Sequence, residues 1–333
     1  MVKKNYLIIW MRKRKLLVLG SSSFGGASFV DFMLSKNNFK IYGTYNSRKS
    51  NLLLPYTYNK YLKYFNDFKL DLSPKKNNLI KIIKKIKPNY IVDFASICQV
   101  NSSWSYPKMY NQINVNSKIE LIKNLNKFNF IKKYVYVSTP EIFGSSKNKV
   151  FENSKLFNPS TPYASSKLSL ELLLKNYQKF FNAPIIIARF SNFYGPGQSI
   201  NRLIPKAIFC INNKKKFPLE GKGDSVRGYI FSYDFCNGIY RILKKGKIGN
   251  IFHFSEDKYY SVLETLKIIC KIKNYPIKNL IYIKKDRTGK DHCYKLNTNN
   301  TKKILSWKNK YSFKNGLVET IKFFTKNNNK LFN

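Results

Sequence analysis

The segment Lys15-Leu-Leu-Val-Leu-Gly20-Ser-Ser-Ser-Phe-Gly25-Gly26 decides the fold. A short apolar run ends in a glycine-containing turn, and a helical pattern follows through Leu34. This order predicts a strand, a tight turn and a helix. Such a turn lets a pyrophosphate approach the backbone N–H groups at a helix N-terminus. Ser23 replaces the usual middle glycine and is small enough to permit that approach.

Strand and helix patterns alternate beyond this segment. Short apolar runs predict strands, and apolar residues spaced three and four apart predict helices. The predicted strands lie at residues 39–45, 90–95, 133–138 and 185–189, and the helices at 78–87, 111–127 and about 160–181. This alternation is typical of an α/β fold with a Rossmann-type, doubly wound parallel sheet.

The alternation loosens after Tyr194-Gly-Pro-Gly-Gln198, which predicts a smaller C-terminal substrate-binding domain. The predicted boundaries assign residues 11–190 and about 229–250 to the dinucleotide-binding domain, and residues 191–228 and 251–326 to the substrate domain. Residues 1–10 and 327–333 are expected to be disordered.

Lysine dominates the charge of the chain. The 333 residues include 61 Lys and Arg against 17 Asp and Glu, which gives a net charge of +44. Only eight of the basic residues are arginines, and the lysines are spread over every segment. Proteins that bind nucleic acid concentrate basic side chains on one face and favour arginine. We therefore expect a solvated lysine surface and no nucleic-acid partner.

Composition also argues against membrane, metal and disulfide-rich classes. No apolar run approaches the ~18 residues of a membrane span. Residues 1–10 only faintly resemble a signal peptide, so a cytoplasmic protein is expected. The five cysteines are widely spaced and only two histidines occur. Neither a metal site nor a disulfide framework is therefore expected.

Two neighbouring segments carry the candidate catalytic groups. Val137-Ser-Thr139-Pro140-Glu141 ends a predicted strand, and Tyr163-Ala-Ser-Ser-Lys167 begins the next predicted helix. Spacing of four places the lysine beside the tyrosine, where its ammonium is expected to lower the pKa of the phenol. The tyrosine can then exchange a proton with a sugar hydroxyl, and the glutamate can remove a proton from carbon. Together they indicate redox-assisted chemistry on a sugar.

Each of these groups also has an ordinary structural interpretation. The Tyr-x-x-x-Lys spacing recurs at Tyr45, Tyr56 and Tyr240, as chance allows in a chain so rich in both residues. Only its place at the start of a helix after the Thr139 strand distinguishes Tyr163. The glutamate can equally be a surface acid at the end of a strand.

The end of the second predicted strand bears on the cofactor. An acid there binds the ribose 2′-hydroxyl of NAD, but this chain has Asn46 and Arg48 and no acid. Arg48 can meet the 2′-phosphate of NADP, whereas Asn46 can bond a free hydroxyl. NAD is the first expectation and NADP stays open. Asp71 and the adjacent Leu72 are expected beside the adenine, although Asp71 can instead be a turn aspartate.

Further stretches resemble one enzyme family when their order and spacing are considered together. They are Phe94-Ala-Ser96, Asn158-Pro-Ser-Thr-Pro-Tyr-Ala-Ser-Ser-Lys167, Arg189-Phe-Ser-Asn192-Phe-Tyr-Gly-Pro-Gly-Gln198, Arg202-Leu-Ile-Pro205, Gly221-Lys-Gly-Asp-Ser-Val-Arg227 and Asp286-Arg287-Thr-Gly-Lys-Asp291. The chain thereby resembles the extended short-chain dehydrogenase/reductase family of nucleotide-sugar enzymes. Within it, the nucleotide-sugar 4,6-dehydratases of the dTDP-glucose type are the most similar.

The resemblance implies a three-step cycle. A hydride leaves C4 of the sugar for the nicotinamide while Tyr163 accepts the O4 proton, assisted by Thr139 and Lys167. The new ketone acidifies the C5 proton, which Glu141 removes as water leaves C6. The hydride then returns to C6 and gives a 4-keto-6-deoxy sugar. A homodimer through helices at about 111–127 and 163–181, and a place in polysaccharide biosynthesis, are also implied.

The resemblance also assigns binding residues. The cofactor positions are Gly20, Ser23, Phe24, Gly25, Gly26, Asn46, Arg48, Asp71, Leu72, Ala95, Ser96, Tyr163 and Lys167. The substrate positions are Thr139, Asn192, Arg202, Leu203, Arg227 and Arg287. Guanidinium groups suit a nucleotide diphosphate because they bind its oxygens in pairs.

Three departures from the family pattern keep alternatives open. Pro140 stands where the dTDP-glucose enzymes have an aspartate that protonates the leaving hydroxyl, Gly228 replaces an aspartate, and Cys293 stands where an arginine often reaches the phosphates. A UDP-glucuronate decarboxylase or a 4-epimerase of the same family is therefore an alternative. A polyanion-binding or sensor protein on this scaffold is the alternative outside the enzymes.

Overall fold

The computed structural model describes residues 14–47, 51–286 and 288–332. The strands are β1 (Arg14–Leu19), β2 (Phe39–Tyr45), β3 (Phe65–Lys69), β4 (Tyr90–Asp93), β5 (Lys133–Ser138), β6 (Lys149–Val150), β7 (Ile185–Phe190), β8 (Asn192–Tyr194), β9 (Phe217–Glu220), β10 (Val226–Phe231), β11 (Ile251–Phe254), β12 (Tyr259–Ser261), β13 (Ile281–Lys284) and β14 (Lys295–Leu296).

The α-helices are α1 (Phe24–Lys36), α2 (Leu79–Ile86), α3 (Val100–Ser105), α4 (Pro107–Asn114), α5 (Ile119–Asn124), α6 (Pro162–Phe181), α7 (Leu203–Asn212), α8 (Ser232–Lys245), α9 (Val262–Ile272), α10 (Ile277–Leu280), α11 (Asn299–Leu305), α12 (Phe313–Lys326) and α13 (Asn328–Phe332). Short 3₁₀ turns lie at Asn51–Leu53, Pro55–Tyr58, Leu62–Tyr64, Asn116–Lys118 and Pro140–Phe143.

Seven parallel strands form the central sheet in the order β11-β7-β5-β4-β1-β2-β3. Successive residues of β1 point to opposite faces, so Leu16 and Val18 enter one core and Leu17 and Leu19 the other. Helices α1 and α8 cover the first face, and α2, α5 and α6 cover the second. The predicted α/β fold with a doubly wound, Rossmann-type parallel sheet is confirmed.

A smaller part of the chain packs around its own core. Helices α7, α9 and α12 enclose buried side chains such as Ile208, Leu266 and Leu317. The three-stranded sheet β12-β10-β8 and the parallel pair β9-β13 border this core. Strand β8 follows β7 directly, so this region is joined to the carboxyl edge of the large sheet.

Two expectations about the domain boundaries and the chain ends need correction. Residues from 251 onward were assigned to the substrate domain, but Ile251–Phe254 pairs with β7 as the outermost strand of the large sheet. The tail was expected to be disordered, whereas Asn328–Phe332 is a short helix. It is anchored because the side-chain amides of Asn212 and Asn213 donate to Asn328 Oδ1 at 3.3 and 3.2 Å. Residues 1–10 lie outside the described part.

The predicted long helix at 111–127 is instead broken into α4, a 3₁₀ turn and α5. Asn114 turns its side chain inward, accepting from Ile97 N at 2.8 Å and donating to Ser166 Oγ at 2.9 Å. Val115, at the end of α4, has φ −117° and ψ −69°, so its φ departs from the ideal helical value. The break brings Lys118 into the protein interior.

Within the described ranges, no helix is both long and apolar enough to cross a membrane.

Candidate active site

The start of α6 positions Tyr163 and Lys167. Thr161 caps the helix by accepting from Ala164 N at 3.2 Å, and Pro162 occupies its first position, where a missing N–H costs nothing. The tyrosine and the lysine are both buried. Lys167 Nζ donates to the carbonyl of Val137 at 2.9 Å, which ties the helix to the end of β5.

The end of β5 positions Thr139 and Glu141. The strand runs into a 3₁₀ turn in which Pro140 holds the first position and Thr139 Oγ1 accepts from Glu141 N at 3.3 Å. The Thr139 hydroxyl also hydrogen-bonds to the Tyr163 side chain. The two predicted catalytic segments therefore meet, as their places after adjacent elements indicated.

Burial controls the protonation of Tyr163. Desolvation raises the pKa of this phenol well above its ordinary value, and the carboxylate of Glu141 raises it further. Arg202 and the Thr139 hydroxyl act in the opposite direction. The expectation of a lowered phenol pKa beside Lys167 is therefore wrong, because burial is the largest influence on this pKa and raises it.

Lys167 itself titrates near neutrality. Its pKa is lowered to about 7, first by burial and then by the ammonium of Lys118, against the opposing charges of Asp93 and Glu171. The side chain can therefore gain or release a proton at neutral pH. A phenol that stays protonated at neutral pH therefore lies one helical turn from an amine that is only partly protonated there.

The glycine turn after β1 has the form expected for a dinucleotide site. Ser23 caps α1, accepting from Gly26 N at 3.1 Å and donating to the carbonyl of Gly20 at 2.7 Å. A Cβ on Gly26 would lie 2.2 Å from Gly20 O, and Gly20 has φ +76°. Both positions thus require glycine. The turn suits a pyrophosphate, since it places Ser23, Gly25 and Gly26 at the N-terminus of a thirteen-residue helix.

The other predicted cofactor positions lie at the same edge of the sheet, where the carboxyl ends of the parallel strands meet. They are Gly25 and Phe24 at the start of α1, Asn46 after β2, Asp71 and Leu72 after β3, and Ala95 and Ser96 after β4. Phe24 stacks on Phe193 with 5.4 Å between ring centroids. Arg48 lies outside the described residues.

Asp71 satisfies the turn interpretation that the sequence left open. Its Oδ1 accepts from Ser73 N at 2.9 Å, and this hydrogen bond lowers the pKa of the carboxyl. Asn46 is exposed at the end of β2. The described residues at this edge thus include no carboxylate at the strand end that usually binds the ribose of NAD.

Two of the predicted substrate residues, Arg202 and Leu203, lie where α7 begins. Arg202 lies at the entrance to α7, with its Nη2 3.1 Å from both the carbonyl oxygen and the Sγ of Cys98. It faces the same space as Tyr163, whose pKa it lowers. Leu203 follows as the first residue of α7. Arg287 lies outside the described part of the chain.

Arg227 is held by backbone carbonyls. Its Nη1 donates to the carbonyls of Val226 and His292 at 2.8 and 3.2 Å, and its Nη2 donates to that of Asp291 at 2.7 Å. These bonds take three of the five N–H groups of the guanidinium. The buried side chain therefore supports the backbone at residues 291–292 as well as bordering the site.

Tyr294 is a site residue for which sequence patterns carry no signal. Its hydroxyl donates to Asn192 Oδ1 at 2.6 Å, and its ring lies 4.5 Å from the guanidinium carbon of Arg227. This hydrogen bond ties Tyr294 to Asn192, one of the predicted substrate residues. Cys98, Lys118 and Asp93 were also missed, since nothing local in the sequence sets them apart.

The site contains two groups that can move protons. Tyr163 is a buried phenol, and Glu141 is a carboxylate close enough to raise its pKa. A phenol suits a hydroxyl proton, and a carboxylate suits a proton on an acidified carbon. Among the described residues, no group of three or more His, Cys, Asp or Glu side chains can hold a metal ion.

Comparison with known proteins agrees with this geometry. The sequence model of the family described as "GDP-mannose 4,6 dehydratase" matches residues 17–320. The chain is similar to the dTDP-D-glucose 4,6-dehydratase of Bos taurus, with 29% identity over 248 residues, 72% of this chain and 69% of the relative.

Solved structures share the fold. A dTDP-glucose 4,6-dehydratase from Bacillus anthracis in complex with NAD superposes with a TM-score of 0.84 at 28% identity, covering 95% of this chain and 98% of that one. A UDP-glucuronic acid 4-epimerase from Bacillus cereus, in complex with UDP-glucuronic acid and NAD, gives a TM-score of 0.84 at 22% identity, with 94% and 99% coverage. The chain belongs to the GDP-mannose 4,6-dehydratase family, within the extended short-chain dehydrogenase/reductase group of nucleotide-sugar epimerases and dehydratases.

Proposed function

We propose that this protein is an NAD-dependent nucleotide-sugar 4,6-dehydratase, with dTDP-glucose as the first substrate to test. One observation carries the proposal: Glu141 and Tyr163 meet at the Thr139 hydroxyl, which accepts from Glu141 N at 3.3 Å and hydrogen-bonds to the phenol. Oxidation of a hydroxyl needs one proton acceptor, whereas oxidation followed by elimination needs a second group for the proton on carbon. Tyr163 and Glu141 supply one group for each proton.

The geometry supports a division of labour among the chain's own residues. Bound NAD supplies the group that takes up and returns a hydride. Tyr163, whose hydroxyl is hydrogen-bonded to Thr139, releases its phenolic proton as it accepts the proton of the sugar O4. Lys167, whose pKa is about 7, can exchange a proton at working pH. Glu141 removes the C5 proton after the ketone has acidified it.

The presence of Pro140 bears on one step of the elimination, the protonation of the leaving hydroxyl at C6. It cannot protonate the departing C6 hydroxyl, so we assign that step to Glu141, which passes on the proton taken from C5. The proline still has a structural role, since its fixed φ suits the first position of the turn that places Glu141. Loss of the acid is thus compatible with elimination.

Cofactor binding is proposed on the glycine turn and the solved relatives. The Bacillus anthracis dehydratase is in complex with NAD. The turn of this chain keeps glycine at both positions where a side chain would collide. Asn46, at the end of β2, can bond a ribose hydroxyl. Nucleotide sugars and NAD are cytoplasmic metabolites, which supports a cytoplasmic enzyme that supplies sugars for surface polysaccharides.

A second candidate function is decarboxylation or epimerisation of a nucleotide-linked sugar acid, as in the decarboxylases and uronic-acid epimerases of this group. Arg202 carries it, because its guanidinium lies near Tyr163 and can bind a carboxylate on C6.

A panel of dTDP, UDP, GDP and CDP hexoses and hexuronic acids, analysed by mass spectrometry, separates these functions. Loss of water is the result expected for the dehydratase. Loss of carbon dioxide would establish a decarboxylase, and unchanged mass with a new retention time an epimerase. Tyr163→Phe is the matched inactive control. If no sugar in the panel changes, the enzyme proposal fails.

A further inference from the structure

A second buried lysine lies behind the catalytic residues. Lys118 ends the 3₁₀ turn Asn116–Lys118, and its side chain is 1% exposed. Its Nζ pairs with Asp93 Oδ2 at 2.7 Å and donates to the carbonyl of Ala95 at 2.6 Å. A buried ammonium is costly unless it is paired and hydrogen-bonded. Here both conditions hold.

Asp93 and Lys118 together clamp one residue of the predicted cofactor site. Asp93 Oδ1 accepts from Ala95 N at 2.9 Å, while Lys118 binds the carbonyl of the same residue. The Tyr134 hydroxyl donates to Asp93 Oδ2 at 2.5 Å and completes the set. The Ala95 backbone packs against the glycine turn, since a Cβ on Gly20 would lie 3.0 Å from Ala95 N. The pair therefore fixes a turn that touches the dinucleotide site.

The same ammonium also faces the catalytic lysine. Lys118 Nζ and Lys167 Nζ lie 5.7 and 4.3 Å from the centroid of the Tyr136 ring. The charged and titratable groups around Lys167 are Lys118 from the 3₁₀ turn, Asp93 from the end of β4, Cys98 from the following loop, Tyr136 from β5, and Tyr163 and Glu171 from its own helix.

We propose that Lys118, paired with Asp93, is a positioning residue for the nicotinamide half of the site. It holds the Ala95 turn in place and keeps a second positive charge next to Lys167. This inference rests on the proposed function, because it takes NAD as the cofactor and Lys167 as its neighbour. Lys118 acts through Lys167 and the turn.

Two consequences follow from the second charge. The Lys118 ammonium disfavours the protonated form of Lys167, which contributes to its pKa of about 7. A protonated Lys167 repels the cationic ring of NAD⁺ but not the neutral ring of NADH. The ratio of the two dissociation constants, Kd(NAD⁺)/Kd(NADH), should therefore fall as pH rises through the pKa of Lys167.

Calorimetric titration of the substrate-free protein with NAD⁺ and with NADH, repeated across neutral pH, measures this ratio. In Lys118→Met the repulsion is lost and Asp93 is left uncompensated. Both changes raise the pKa of Lys167, so the midpoint should move up by about one pH unit. Lys118→Arg keeps the charge and should keep the wild-type midpoint. Lys123→Met, which removes an exposed lysine, is the matched control.

The double variant Asp93→Asn/Lys118→Met covers the case in which an unpaired carboxylate prevents folding. Its midpoint should also rise, but less, because the effect of Lys118 on Lys167 exceeds that of Asp93. An unmoved midpoint in Lys118→Met or in the double variant would overturn the inference, as would an arginine variant that behaves like the methionine one. No sugar is used, so a failed dehydratase assay leaves this result readable. If the protein binds neither NAD⁺ nor NADH, both the proposed dehydratase function and the proposed role of Lys118 are overturned.

Discussion

At the scale of single residues, the position of Glu141 is set by its own turn. Thr139 Oγ1 holds its backbone N–H, and Pro140 fixes the turn between them. Glu141→Gln keeps this geometry and removes only the base. Water loss should fall at least ~100-fold, the usual scale for a lost general base, while oxidation of the sugar at C4 continues.

The measurement for this variant is the absorbance of reduced nicotinamide under single turnover, together with product mass. Reduced cofactor should accumulate, because elimination no longer follows. Glu120→Gln is the matched control, since Glu120 is an exposed glutamate paired with Lys123 on α5. Normal water loss in Glu141→Gln would show that another residue removes the C5 proton.

Cys98 gives a second prediction at this scale. It is exposed and touches Arg202, whereas Cys210, Cys236, Cys270 and Cys293 are buried. Iodoacetamide should therefore label Cys98 first in the native protein, and a nucleoside diphosphate bound by Arg202 should slow that labelling about tenfold or more at saturation.

Peptide mass spectrometry reads all five cysteines in one experiment, so the buried four serve as internal controls. Cys98→Ser should abolish the fast phase of labelling. Unchanged labelling of Cys98 at saturating nucleotide would place the diphosphate away from Arg202.

At the scale of elements, the cap of α1 links stability to the cofactor site. Ser23 satisfies Gly26 N–H and bonds Gly20 O. Ser23→Ala loses the cap and should reduce the free energy of unfolding by about 1 kcal/mol, whereas Ser23→Gly should cost only a few tenths. Glycine also restores the usual fingerprint, so NAD affinity should survive better in this variant.

Urea unfolding of the two variants tests the predicted order of their stabilities, and NAD titration tests the predicted order of their affinities. Equal destabilisation by alanine and glycine would mean that the Ser23 hydroxyl does not cap the helix in solution.

Sequence patterns predicted the elements whose burial is uniform. The runs at Lys15–Leu19 and 185–189 read as strands because helices cover both of their faces. Phe65–Lys69 was missed because it is a partly exposed edge strand with polar residues in its middle. The break after Asn114 could not be foreseen, since it depends on Ile97 and Ser166, which are distant in sequence.

The candidate site was likewise only partly predictable from the sequence. Spacing along one element was enough to pair Tyr163 with Lys167 and Thr139 with Glu141. The pKa of Tyr163 depends on burial by the whole fold, and the carbonyl partners of Arg227 include Asp291 and His292, over sixty positions away. Such properties arise only when separate segments meet.

At the scale of the whole molecule, the chain carries a net charge of +44. Two buried ion pairs lie near the site, Lys118 with Asp93 and Arg189 with Glu171. The second pair also receives the Ser138 hydroxyl at 2.8 Å and so supports the strand that ends at Thr139. The buried Lys167 and Arg227 donate to backbone carbonyls instead. Charge in the interior therefore serves to order the site, while the surface excess attracts anionic substrates.

The helices beside the site also expose apolar side chains, which bears on assembly. Met109 on α4, Ile119 on α5 and Leu172 on α6 are 40%, 36% and 40% exposed. These helices are neighbours in the fold and are the ones for which a homodimer was expected. We predict a dimer in which they cover one another, since burial of such side chains favours association.

Light scattering during gel filtration tests this assembly. Leu172→Glu should shift the protein from dimer to monomer, because it would bury a charge in the interface. Leu156→Glu is the matched control: Leu156 is 84% exposed, lies outside these helices and should leave the dimer intact. A monomeric wild type, or equal dissociation by both variants, would contradict this interface. Because α6 also carries Tyr163 and Lys167, a dimer through α6 would hold the two active sites on one shared bundle of helices.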